Sequence, residues 1–302
     1  MNRLYALVKR NCKLFFKDKG MFFTSLITPL ILLVLYATFL GNVYRDSFLL
    51  SMPEGFAVSD SLTWGMVGGQ LVSSLLAVCT ITVAFCSNLL MVQDKVTGAH
   101  MDFSITPTSP SLLAMGYFIA TALVTLLICY VALGACLLYL AFLGWYMSMG
   151  DVLLMCLDVL LLVLFGTALS SLISFPLSTN GQASAVGTIV SSVYGFICGA
   201  YMPISNFGIG LQRVLSFLPG TYGTSLLRNH ALRGVYAEME KQGFPQMAIE
   251  GLQEAVDCRI YFFDSLVEEG SMFIILGGSV LLLIAAYVAL QYLYAHRRRI
   301  ST

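Results

Sequence analysis

Apolar runs long enough to cross a bilayer recur along this chain, and they constrain its fold more than any other feature. A helix needs about 20 mainly apolar residues to cross the hydrocarbon core. Met21 to Leu40 supplies the first run, and further runs cover about 65–92, 112–143, 151–175, 183–200 and 271–294. Charged residues make up only 11% of the 302, against roughly a quarter in a soluble domain. Mean hydropathy is +0.84. In lipid each backbone N–H and C=O must be satisfied internally, which a helix does by itself. The expected fold is an all-α polytopic membrane protein with six transmembrane helices in one domain, 1–302. Formal net charge is zero, so no basic field points to nucleic acid.

Residues 1–20 precede the first run. On a helix, Arg3, Arg10, Lys13 and Lys17 share one side, and Leu4, Leu7, Val8, Leu14 and Phe15 the other. This predicts an amphipathic helix at the membrane surface, basic side towards anionic headgroups. The run that follows is too long for a signal-peptide core and lacks a small-residue cleavage pattern. Pro29 is expected to kink the first span. A loop at 43–64 follows, with Trp64 as an interfacial anchor.

In the second span Ser73, Thr80 and Ser87 recur every seven residues and share a stripe. Gly65 and Gly69 form a small-xxx-small pair suited to close helix approach. Helix packing and the lining of a pathway both account for such a stripe. Asp158 lies inside the fourth span, where an ionised carboxylate near mid-bilayer costs at least roughly 2.5–3.5 kcal/mol. One acid makes no relay, so a partnered or protonated residue near the outer interface is expected. The fifth span carries Ser184, Thr188, Ser191, Gly195 and Gly199 at helical spacing. The segment 201–222 is too short to span and is bracketed by Pro203 and Pro219, which reads as a re-entrant helix pair. A polar stretch, 223–270, is expected to be a helical cap, with Ala248, Leu252, Val256 and Phe263 on one face.

Between spans two and three lies a compact polar interruption from Gln93 to Pro110. Asp94 and Lys95 open it, Thr97 is placed to cap a short helix through Phe103, and Pro107 and Pro110 stop it. Basic residues before the first span and Arg297, Arg298 and Arg299 after the last place both ends in the cytoplasm. An even number of spans follows, and the Asp94–Pro110 loop faces the same side.

Catalytic motifs are absent. The chain has no Gly-x-x-x-x-Gly-Lys-Ser/Thr phosphate loop. His100, His230 and His296 stand apart in sequence, and the eight cysteines show no metal spacing. No enzyme site and no cofactor of its own are expected.

This ordered layout resembles the transmembrane permease subunit of an ABC-2-type ABC exporter, the fold shared with polysaccharide exporters and the G-subfamily drug and sterol pumps. The features that carry the resemblance are the basic amphipathic helix, the Asp94–Pro110 loop, the brief turn at 176–182 and the Pro-bracketed helices before the last span. The resemblance implies a coupling helix formed by Asp94, Lys95, Gly98, Asp102, Phe103 and Pro107, seated on a separate nucleotide-binding ATPase subunit. ATP and Mg would be held by that partner. It also implies a second permease copy or paralogue, with Ser73, Thr80, Ser184, Thr188, Ser191 and Gly195 along the path. Tyr201, Pro203, Pro219 and Tyr222 would stand at an outer gate. The implied activity is ATP-driven export of a hydrophobic or amphiphilic substrate (drug, lipid or small peptide) across the cell membrane. The cap is longer than in the simplest members, so no substrate carries over. An ATP-independent secondary transporter or channel is the alternative.

Overall fold

The computed structural model describes residues 3–50, 52, 58–104 and 108–300. Helix α1 (Arg3–Lys17) ends at Asp18, whose carboxylate accepts the Met21 N–H at 3.0 Å and so caps α2 (Lys19–Leu35). Pro29 lies inside α2, and the helix continues through a π turn (Tyr36–Leu40) into α3 (Gly41–Leu50). The loop expected from residue 43 therefore starts later. Arg45 is helical and stands 5.8 Å from the Trp64 ring, which it covers. Glu54, in the same expected loop, lies outside the described residues.

Ser59 caps α4 (Asp60–Val96), a helix of 37 residues, or about 55 Å at 1.5 Å per residue. A short α5 (Ala99–Ser104) leads to α6 (Pro110–Leu143), which Ser109 caps and Pro110 starts. There the missing proline N–H is no loss. A reciprocal capping box between Ser148 and Asp151 opens α7 (Met149–Ser174). Then come α8 (Asn180–Ile197), α9 (Ile209–Leu215), α10 (Pro219–Lys241), α11 (Gln246–Ala255) and α12 (Glu269–Ile300).

Among the described residues, five helices are long and apolar enough to cross a membrane: Lys19–Leu50, α4, α6, α7 and the Glu269–Leu293 part of α12. The remaining expected span is α8, with 18 residues, about 27 Å long and more polar than the others. The chain is a multi-pass helical membrane protein. α4 is its spine, buried along almost its whole length against α2, α6, α7, α8 and α10. The surrounding helices turn large apolar side chains outward, among them Phe23, Ile31, Leu127, Leu138, Ile274 and Leu281. Outward apolar faces of that kind are what lipid solvates.

Two expectations need correction. The polar stretch 223–270 is not all cap, because α10 buries Tyr222, Leu226, Leu227, Arg228, His230 and Leu232 in contact with α4, α7 and α12. α9 and α10 thus form the Pro-bracketed pair, with a return limb longer than expected. The cap proper is α11 plus a small antiparallel hairpin, β1 (Ile260–Phe262) with β2 (Ser265–Val267), a departure from a purely helical fold. Phe263 sits in that hairpin at φ 55 and is exposed, so it does not share the α11 face with Leu252. The cap has its own apolar core of Phe48, Leu62, Val235, Met239, Ile249 and Leu252.

α10 approaches α4 closely because Gly69 has no side chain. A Cβ there would lie 2.4 Å from Leu232 Cδ2. Gly69→Leu should therefore overpack the α4–α10 contact and cost about 1–3 kcal/mol, read as a lowered thermal unfolding midpoint of the purified chain.

Candidate functional site

At the end of the bundle that holds α1, the last turn of α4 is tied to its neighbours by two charged side chains. Asp94 is buried and accepts two hydrogen bonds from the Arg10 guanidinium of α1, at 2.6 and 2.9 Å. The Tyr117 hydroxyl of α6 donates to the same carboxylate. The bond to Asp94 raises the Arg10 pKa above its ordinary value, so Arg10 stays a cation at any physiological pH. Lys95 points the other way. Its Nζ donates to the carbonyls of Phe175 (2.5 Å) and Leu177 (3.0 Å) at the end of α7 and stands 5.3 Å from the Phe175 ring.

These contacts correct two expectations. Asp94 and Lys95 belong to the last turn of α4 and not to the short helix after it, and they anchor the end of α4 to α1, α6 and the α7–α8 turn. Arg10 does not face headgroups, although Arg3, Lys13 and Lys17 of α1 are exposed. Thr97 closes α4 rather than opening α5, its hydroxyl donating to the Gln93 carbonyl at 2.9 Å. Gly98 then turns the chain at φ +81, with open space around it, a conformation that favours glycine. In α5, Asp102 is exposed, while Phe103 packs among Leu7, Leu90, Met91, Leu113 and Tyr117. The Arg10 guanidinium lies 5.2 Å from its ring. Arg10 thus holds both the end of α4 and the helix beyond it. Pro107 lies outside the described residues.

The expected path residues divide. Ser73 and Thr80 are fully buried, their hydroxyls donating to the carbonyls of Gln70 and Ala77. They pack the spine. On α8, Ser184 and Thr188 lie on an exposed face with Ile189, Ser192, Val193 and Phe196. The Thr188 and Ser192 hydroxyls bond to the carbonyls of Ser184 and Thr188, so this face offers mainly carbon. Gly195 is covered by the Tyr201 ring, which would clash with any Cβ. Tyr201 also donates to the Ser191 carbonyl at 3.1 Å, which folds the chain back on α8.

Of the expected gate residues, Tyr201 is half-buried and Pro203 buried. Pro219 starts α10. Tyr222 is buried and donates to the Ser216 carbonyl at 2.5 Å, closing the α9–α10 turn instead of facing an opening. An outward-open cavity of about 550 Å³ lies farther along, between Trp145, Tyr146, Asp151, Arg233, Glu238 and Lys241.

Buried charges here were not legible as partners. Arg228 is 1% exposed. Its guanidinium donates to the carbonyls of Val256 (2.6 Å) and Gly199 (2.8 Å), to Ser74 Oγ (3.2 Å) and to Asp257 (3.4 Å). Asp257 also accepts the N–H groups of Ile204 and Ser205. His230, which stands apart in sequence, is the partner of Asp158. Among the described residues no cluster of His, Cys, Asp or Glu is arranged to hold a metal.

A family model described as ABC-2 type transporter matches residues 2–231. The chain belongs to that family. Its members are the membrane subunits of ABC transporters, permease components that usually work with a separate ATPase. The matched region runs from α1 through the buried half of α10 and leaves α11, the hairpin and α12 outside it. No curated protein sequence matches the chain.

Arg10→Ala would leave Asp94 buried beside Tyr117 without its cation. Breaking such a pair costs roughly 3–5 kcal/mol when fully buried; with Arg10 partly exposed, about 1–3 kcal/mol is expected. The thermal midpoint should recover in part when Asp94→Asn is added.

Proposed function

We propose that this chain is the permease subunit of an ATP-driven exporter, working as a dimer with separate ATPase subunits that hold ATP and Mg. Six crossings, with both termini and α5 in the cytoplasm of the cell that carries the protein, fit the run of the chain. α4 ends and α6 begins beside α1, and α12 returns there through the stacking of Tyr287 on Phe118. α8 must then carry the chain from the α7 end of the bundle towards α9.

The observation that carries the proposal is the fastening of α5. This short helix stands at the end of the buried spine, and Arg10 grips both the spine and Phe103. A push on α5 is therefore delivered to α1, α4 and α6 together, and through Lys95 to the start of α8. ATP bound between the ATPase subunits favours one arrangement of the two permease copies through its differential affinity. The exposed carbon face of α8 suits a contact that exchanges between copies or meets an apolar solute. A hydrophobic or amphiphilic substrate (drug, lipid or small peptide) follows from that face. The buried Asp158–His230 couple is the one observation that favours the alternative, an ATP-independent secondary transporter.

The test is Phe103→Ala, combined with Gly98→Val to stiffen the turn, in the complex reconstituted with its ATPase. ATPase stimulation by a panel of amphiphiles should drop about tenfold, while the purified permease alone moves no solute. Unchanged stimulation, or transport by the permease without nucleotide, would sink the proposal.

A further inference from the structure

The transport reading makes no use of the buried couple between α7 and α10. The Asp158 side chain is 0% exposed and that of His230 is 1% exposed, with Nδ1 of the imidazole 2.5 Å from Oδ2 of the carboxylate. Each residue has an atom left over. Among the described residues, neither Asp158 Oδ1 nor His230 Nε2, both buried, has a hydrogen-bond partner. Nε2 faces Oε2 of Glu269 on α12 at 3.9 Å, and the Glu269 side chain is 45% exposed. A solvent-facing carboxylate therefore stands at the door of a buried histidine.

The charged neighbours are few. α7 supplies Asp151, and α10 supplies Arg233, which binds Asp151 at 3.3 Å and Glu269 at 2.7 Å. The thiol of Cys156 on α7 and the ring of Phe273 on α12 lie nearby, the Cys258 thiol interacts with Glu269, and Tyr130 of α6 donates to the Cys156 carbonyl. Arg228 pairs with Asp257.

Proton bookkeeping at this site has a definite sign. Neutral His230, with its N–H turned to Asp158, leaves a bare Nε2 lone pair facing a carboxylate, and one negative charge stays buried. Uptake of one proton makes an imidazolium whose two N–H groups face Asp158 and Glu269. The repulsive contact at 3.9 Å then becomes an ion pair, so that α7, α10 and α12 share one attraction. Arg233 opposes the uptake and is itself held by Asp151 and Glu269.

We propose that Asp158, His230 and Glu269 form a proton-binding site supplied from the solvent beside Glu269, and that filling it fastens α10 to α7 and α12. The proposal rests on the exporter reading only for the compartment that supplies the proton, the cell exterior. Acid on that side strengthens the hold on the α9–α10 pair, and alkali releases it.

The full-length chain in lipid nanodiscs, without ATPase or substrate, tests this by thermal unfolding from about pH 5.5 to pH 8.5, the range in which imidazoles change charge. The wild-type Tm should fall by about 4 °C across the range. In the D158N/H230Q double variant, whose amides keep a hydrogen bond and bind no proton, that slope should vanish. E269Q, altered at a solvent-facing position that leaves the core intact, should lose about half of it. A flat wild-type profile overturns the proposal, as does an unchanged slope in the double variant. If the double variant does not fold, a wild-type slope in E269Q overturns it.

Discussion

A helix enclosed by protein on every side must bury its polar groups and still let its neighbours come close, and α4 meets both demands with small hydroxyl and glycine residues. Ser73, Thr80 and Thr82 return their hydroxyls to carbonyls of the same helix, which removes the desolvation penalty of an orphaned donor. Gly69 admits Leu232. The spine is thus both dry and slender, and five other helices depend on it for a partner. Because α4 runs the length of the bundle, the anchors at Asp94 and Lys95 and the polar node at Ser74 and Arg228 belong to one rigid body.

Buried ions inside the bundle are met by polar partners from other elements. At Arg228 two carbonyls, a serine and Asp257 share the guanidinium. Removing one member of such a node costs more than the node contributes, because the remainder is stranded in low dielectric. Such nodes join segments far apart in the chain, here α4, the end of α8, α10 and the cap. The apolar surface alone would let these slide, since lipid tails give helices no hydrophobic reason to prefer one another.

Much of this was legible beforehand. Long apolar runs marked the helices, and Pro203 and Pro219 marked the pair that folds back. What stayed hidden depended on distance along the chain. His230 lies 72 positions from Asp158, and no local pattern reports that they meet. The Ser73–Thr80 stripe suits packing and pathway alike, and only the crowding around α4 assigns it to packing. Asp94 opens a polar interruption in the sequence, whereas its cation comes from α1, 84 positions away. The hairpin at 260–267 is too short for alternation to separate it from a loop.

The π turn at Tyr36–Leu40 has a consequence for the geometry above it. There the Gly41 N–H bonds back to the Tyr36 carbonyl, five residues earlier, so the helix holds one residue more than regular winding allows. That residue rotates everything beyond it by about 100° around the axis. Beyond this offset, Phe48 reaches the core of the cap. The wide turn thus works as an angular adjustment between two differently oriented docking faces, one along the spine and one beneath the cap.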